Sequence, residues 1–298
     1  MTRTRRLLLV GLFLMLAGQP TSTASAADCG KAINCNVDTG GASVTLTQAL
    51  LNRAKKGQDL QTGVPDKRVW EYTSATACQL SIAGTMGADV PCASAVAACA
   101  GNTPAQGLGP QVRLYRRELG PNGLPLPSGW ELLGMTCSPE SVPGKPVLGM
   151  ALILTAFHNT PWALLTVHIQ PEGNVTLVTL PTYFEVRWQD AGFQPGEVET
   201  VSLMGRQVRI RPTNNNFTYV FGDGSTLPTG SPGGVYPDGD VTHVYAKAGT
   251  YSSHIDISYG GDFSVDGGEW ITIPDTIDVP GRAQPLTVKT AHARLVSN

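Results

Sequence analysis

The chain lacks the short motifs that mark the common hydrolases and nucleotide-handling enzymes. It has no G-x-S-x-G elbow, no H-E-x-x-H and no glycine-rich phosphate loop followed by lysine, so the sequence gives no support to those chemistries. It has no C-x-x-C pair, which argues against a zinc cluster or dithiol redox work. Its histidines, at positions 158, 168, 243, 254 and 292, are scattered without metal-ligand spacing. A basic stripe is also missing: residues 27–170 hold 10 Lys and Arg against 9 Asp and Glu, and residues 171–298 hold 8 against 14, a net −6. Phosphate backbones demand clustered positive charge, so nucleic acid is not expected as a partner. The apolar runs at 147–157 and 162–169 are separated by His158, Asn159 and Pro161. Neither reaches the ~20 apolar residues of a membrane span, and together they predict a buried helix followed by a strand.

What is present at the start predicts export. Arg3, Arg5 and Arg6 precede an apolar stretch from Leu7 to Ala17, and Ala24-Ser25-Ala26 supplies small residues for cleavage, which together read as a signal peptide over residues 1–26. Thr4-Arg5-Arg6-Leu7-Leu8-Leu9 resembles a weak twin-arginine signal, but the strongly apolar core favours the general secretory route. The mature chain is expected to begin at Ala27 or Asp28 and to contain no transmembrane segment. Its length suits about two domains.

All six cysteines, Cys29, Cys35, Cys78, Cys92, Cys99 and Cys137, lie in the amino-terminal half. An even number in an exported chain reads as three disulfides. The alanines of Cys92–Cys99 predict a helix. Its rise of ~1.5 Å per residue separates those two cysteines beyond the ~7 Å that a disulfide spans between α-carbons. If Cys29 closes a short loop onto Cys35, two pairings of the rest remain. The preferred one joins Cys78 to Cys92 and Cys99 to Cys137.

Elsewhere in this half, Leu46, Ala49, Leu50 and Arg53 have helical spacing, with Lys55, Lys56 and Gly57 closing the helix. Val112–Glu118 and Trp130–Thr136 predict a hairpin, and the prolines and glycine of residues 138–147 predict a linker. The expected organisation is a Cys-rich region over 27–140, a linker, helix and connecting strand over 141–170, and a β-domain over 171–298. In that last part Thr218-Tyr219-Val220-Phe221 alternates as a half-buried strand, and Gly222-Asp223-Gly224 ends it where positive φ must be cheap. Val241–Tyr245 and Thr250–Tyr259 alternate again, with Ile255, Ile257 and Tyr259 on one face. Asp266-Gly267-Gly268 predicts a hairpin between Phe263-Ser264-Val265 and Glu269-Trp270-Ile271. Short strands with turns every 8 to 12 residues indicate a sandwich.

Phe221-Gly222-Asp223-Gly224, then His243-Val244-Tyr245, then Gly249-Thr250-Tyr251 resembles the core pattern of the polycystic kidney disease (PKD) domain, an extracellular Ig-like β-sandwich. The resemblance extends over nearly half the chain, including residues 174–178, 204–211 and 265–270. It is similar to exported PKD-domain proteins of an actinobacterial type. The fold class expected is therefore mainly β, a PKD-like sandwich preceded by a smaller disulfide-rich α+β region. The loop from Ser225 to Asp240 is longer than a simple PKD loop, and no tandem copy or internal repeat accompanies the domain.

Candidate sites are few. His243 is expected to pack or to bond a nearby turn, since one histidine without an oriented partner is no acid–base pair. Glu197 and Glu199 alternate and face one side, expected as a solvated edge rather than a glycosidase pair. Asp223 with Asp238 and Asp240 offers an oxygen-rich site for Ca²⁺, the one cofactor the sequence suggests, and the resemblance to PKD modules permits it. Against it stands the turn-forming habit of Asp and Gly. Trp188 and Tyr236 are the aromatics expected to be exposed, to stack on a sugar ring or anchor a protein. The function expected is a secreted, cell-surface or wall-associated non-enzymatic protein that binds an extracellular protein or glycan. The alternatives are an accessory or inhibitory subunit of an extracellular hydrolase, a small enzyme with its site in the Cys-rich half, or a component of a surface appendage.

Overall fold

The computed structural model describes residues 34–38, 41–79 and 81–291. The expected signal segment, Cys29 and its pairing with Cys35, and His292 fall outside what is described. The fold is mainly β, as the alternation in the sequence requires. Among the described residues, no helix is long and apolar enough to cross a membrane.

The amino-terminal part is a five-stranded sheet with two helices. Strands β1 (Asn34–Asp38), β2 (Gly41–Thr45), β3 (Val69–Thr76), β4 (Val112–Leu119) and β5 (Glu131–Thr136) lie in the order β1-β2-β5-β4-β3. The predicted hairpin is β4 with β5, antiparallel. Helix α1 (Gln48–Lys55) buries Leu50, Leu51 and Ala54, and a small core joins Leu46, Leu50 and Leu51 to Val112 and Leu114. Val142 and Val147, from the proline-rich stretch after β5, complete that core. Helix α2 (Ala93–Ala97) lies between the two half-cystines that cannot pair with each other. The bridges that form are Cys78–Cys92 and Cys99–Cys137, with α-carbons 6.0 Å and 5.8 Å apart, the preferred pairing.

Helix α3 (Met150–Asn159) then buries Met150, Ile153 and Phe157 and leads to β6 (Leu165–Gln170), the helix–strand order read from the sequence. The remaining strands are β7 (Val175–Leu177), β8 (Pro181–Trp188), β9 (Glu199–Leu203), β10 (Arg206–Val220), β11 (Thr226–Thr229), β12 (Thr242–Val244), β13 (Gly249–Val265), β14 (Ile271–Thr272), β15 (Ile277–Val279) and β16 (Gln284–Lys289). A small sheet, β12-β8-β6, and a large one built on β10 and β13 share one core. Leu165, Val167, Phe184 and Val186 come from the small sheet, and Ile210, Phe217, Tyr219, Ile257 and Phe263 from the large one. The arrangement is sandwich-like.

Two strands are longer than the sequence pattern indicates: β10 has 15 residues and β13 has 17. Gly260-Gly261, which separates the predicted strands 250–259 and 263–265, does not end β13. It continues in register against Thr213 and Pro212. A β-carbon at Gly261 would lie 2.7 Å from the Phe157 ring, so the glycine admits helix α3 rather than turning the chain. The predicted Asp-Gly hairpin is present where β13 returns to β14, with Phe263 opposite Ile271 and Asp266 and Gly267 both at positive φ.

Candidate functional site

The small sheet presents one face to the core and one outward. Along β8, Thr182, Phe184 and Val186 are buried and Pro181, Tyr183 and Glu185 are not. Along β6, Leu165, Val167 and Ile169 are buried while Thr166, His168 and Gln170 face out. Register places Gln170 opposite Tyr183 and His168 opposite Glu185. The long loop after β11 folds back onto this face, because Val186 N–H donates to Pro232 O and Gly234 N–H to Phe184 O. Tyr236 N–H then donates to Gln170 Oε1 at 2.8 Å.

That last bond sets the Tyr236 ring edge-on to Tyr183, with centroids 5.5 Å apart and planes at 85°, a favourable aromatic geometry. Tyr236 remains 69% exposed. The two rings, with Leu180, Pro181, Pro171, Gln170 and Glu172, line a cleft of about 470 Å³, within the size range of ligand sites. Beside it His168 lies between Glu185 (Nδ1, 3.2 Å) and Glu172 (Nε2, 3.3 Å), and Arg187 pairs with Glu185. Tyr236 is thus where the sequence places an exposed aromatic. Tyr183, His168 and Gln170 were missed, although the alternation of 182–187 already turned Tyr183 outward.

Trp188 is not exposed for binding. It follows Phe184 and Val186 on the inward side of β8 and packs against Phe217 and Tyr259, with centroids 6.4 Å and 6.1 Å away, so it is half-buried against the core despite polar neighbours in sequence.

The three aspartates do not converge. Asp223 accepts hydrogen bonds from Ser225 Oγ and N–H and lies 2.7 Å from His243 Nε2. Asp240 accepts from Ser231 Oγ at 2.8 Å, and Asp238 shares neither set. Among the described residues no group of three His, Cys, Asp or Glu side chains is placed to hold a metal ion, so the Ca²⁺ cluster expected from turn composition is not assembled. Asp223 and Asp240 each serve a local neighbour instead.

His243 stacks on Phe221, with centroids 4.2 Å apart and planes at 7°, and meets Tyr245 edge-on at 4.6 Å. Ser225 Oγ and Asp223 both approach the same ring nitrogen, Nε2. A nucleophile–base–orienter relay needs the hydroxyl and the carboxylate on opposite nitrogens, so this trio is a structural clamp on the turn. Burial raises the Asp223 pKa, but hydrogen bonds from Ser225 and His243 outweigh it and hold the carboxyl at about 2. A carboxyl lowered in the folded state contributes stability above its unfolded value, near 4, that is lost as the pH falls toward 2. Asp223→Asn is therefore expected to lower stability at pH 6 and to flatten the acid limb between about pH 4 and pH 2. Denaturant melts of both proteins across that interval measure it, and parallel curves would exclude the clamp.

Glu197 accepts from Gln194 N–H at 3.0 Å in the turn before β9. Glu199 opens β9 opposite Ile210, and its Oε2 is buried without a hydrogen-bond partner among the described residues. The two therefore do not form a solvated edge together. No family model matches the chain, and no curated protein matches it.

Proposed function

We propose that this protein is a secreted or cell-surface, non-enzymatic binding protein that engages an extracellular protein or glycan at the Tyr183–Tyr236 cleft of a PKD-like domain. The observation that carries this reading is Tyr236, a large aromatic held by a backbone bond at the rim of an apolar cleft yet 69% exposed. A ring fixed in orientation by one edge-on neighbour loses little entropy when a sugar face or apolar side chain covers it. The PKD-like assignment is supported by the way Gly222 turns the chain after β10 while His243 and Tyr245 pack against Phe221. Export is supported by two disulfides, bonds that persist in oxidising compartments. The non-enzymatic reading is supported by the shared nitrogen of the Asp223–His243–Ser225 trio.

Isothermal titration of the mature protein with chito-, xylo- and gluco-oligosaccharides, together with pull-down from its own culture read by mass spectrometry, tests the reading. Tyr236→Ala is expected to weaken binding of whatever partner is found by roughly tenfold, equivalent to about 1.4 kcal/mol. It should leave the melting temperature unchanged, since an exposed ring supports little of the core. His243→Ala is expected to retain binding. Hydrolysis of peptide, ester or glycoside substrates that disappears on a single substitution within residues 27–140 would overturn the proposal.

A further inference from the structure

We propose that the Tyr183–Tyr236 cleft is an aromatic corner for a cation, and that its occupant is the ammonium of a lysine side chain on a partner protein. This rests on the binding reading above and narrows it, giving the cleft to a protein rather than a neutral glycan. Two ring planes at 85°, with centroids 5.5 Å apart, form the walls of the corner. The negative face of an aromatic ring attracts a cation within about 6 Å of its centroid, and at this separation one compact charge comes within reach of both rings. A flat guanidinium stacks on a single ring, so the right angle favours lysine over arginine.

Both walls are held in place. Tyr183 projects outward from β8 between the buried Thr182 and Phe184. A β-carbon on Gly239 would lie 3.0 Å from its ring, so a glycine lets the returning loop rest against it. Tyr236, on that loop, is tied through its N–H to Gln170 Oε1. Pro171, Leu180 and Pro181 complete the apolar part of the lining, and Leu180 is exposed. Such a surface suits the four-carbon stem of a lysine, which lies along apolar groups while its charged end reaches further.

Charge sets the sign of the occupant. Glu172 is the one charged side chain that lines the cleft, and it is 81% exposed. Its neighbour His168 has Nε2 3.3 Å from it and Nδ1 3.2 Å from Glu185. A neutral imidazole donates from one nitrogen only, so it serves one of these carboxylates at a time. Arg187 pairs with Glu185, and among the described residues no lysine or arginine pairs with Glu172. The segments that form the cleft, residues 169–186 and 212–246, contain Glu172, Glu185, Asp223, Asp238 and Asp240 but no lysine or arginine. A cationic partner is drawn to such a surface and an anionic one is repelled.

The test uses the oxidised mature chain and the capped pentapeptide Gly-Ala-Lys-Ala-Gly at pH 8, above the ordinary histidine range and below that of lysine. Titration followed by NMR is expected to give saturable shifts at Tyr183, Tyr236 and Gln170. The same peptide with uncharged norleucine in place of lysine is expected to bind about tenfold more weakly. Glu172→Gln should weaken the lysine peptide about threefold or more and leave the norleucine peptide unchanged. Tyr236→Phe should bind as the parent does, since the attraction uses the ring face and not the hydroxyl, whereas Tyr236→Ala should lose most of the affinity. Equal binding of the two peptides, or no saturable shift at Tyr236 with the lysine peptide, would overturn the proposal. If an oligosaccharide or a captured partner binds at Tyr236 while the lysine peptide does not, this inference falls and the binding reading stands; if nothing binds there, both fall.

Discussion

Replacing Phe221 by alanine is expected to cost about 3–5 kcal/mol, among the largest effects of any single side chain in the protein. The ring is 3% exposed and touches three others: His243 at 4.2 Å, Phe184 at 5.0 Å and Tyr219 at 6.4 Å between centroids. The cost of such a truncation depends on whether the surroundings collapse into the space. Here they are pinned. Phe221 O accepts hydrogen bonds from both Tyr245 and Ser253 hydroxyls at 2.9 Å, and its N–H donates to Ser225 O. Gly222 follows at φ 86°, and a β-carbon there would lie 2.6 Å from Ser252 O, so the backbone has no room to shift. Phe221→Leu, which keeps most of the volume, is expected to cost less than about 1.5 kcal/mol. Equilibrium denaturation of the two variants, with unchanged slopes, checks the ratio. Because His243 rests on the lost ring, His243→Ala should cost less in the Phe221→Ala background than alone, a coupling that a double-mutant cycle reads directly. A loss below about 1 kcal/mol for Phe221→Ala would place the ring outside the core.

Local chemistry made this region legible. The β-branched and aromatic alternation of 218–221, the positive φ required at Gly222, and the helical alanines between Cys92 and Cys99 each act over a few residues, and each is realised. What was not legible depends on partners distant in sequence. The two glycines inside β13 look like a strand end until Phe157, about a hundred residues earlier, is found pressing on Gly261. Trp188 looks exposed until Phe217 and Tyr259 cover it. The Tyr236 cleft needs Gln170, 66 residues away, to hold the loop. The aspartates show the converse error, since composition suggested a shared ion where Asp223 and Asp240 each had a nearer donor.

Removing the Cys99–Cys137 bridge, by Cys99→Ala with Cys137→Ala, is expected to cost about 4 kcal/mol, against about 3 kcal/mol for Cys78→Ala with Cys92→Ala. The difference follows from loop length, 38 residues against 14, since a longer closed loop removes more freedom from the unfolded chain. Alanine is the appropriate replacement because Cys99 is 3% exposed and a serine hydroxyl there would be buried. The bridge also sits at a joint. Gly109 N–H donates to Cys137 O at 2.8 Å and Gly109 O accepts from Met150 N–H at 2.7 Å, and a β-carbon on Gly109 would lie 2.9 Å from that of Cys99. Met150 begins the helix whose Phe157 packs against Gly261 of the large sheet. Freeing residues 99 and 137 therefore loosens the start of α3 as well as the small domain. Amide exchange should show α3 losing protection in the Cys99/Cys137 variant and keeping it in the Cys78/Cys92 variant, at matched distance below their melting temperatures. Equal protection of α3 in both, or a stability loss under about 1 kcal/mol, would show that the joint is held by packing alone and that the bridge is dispensable to it.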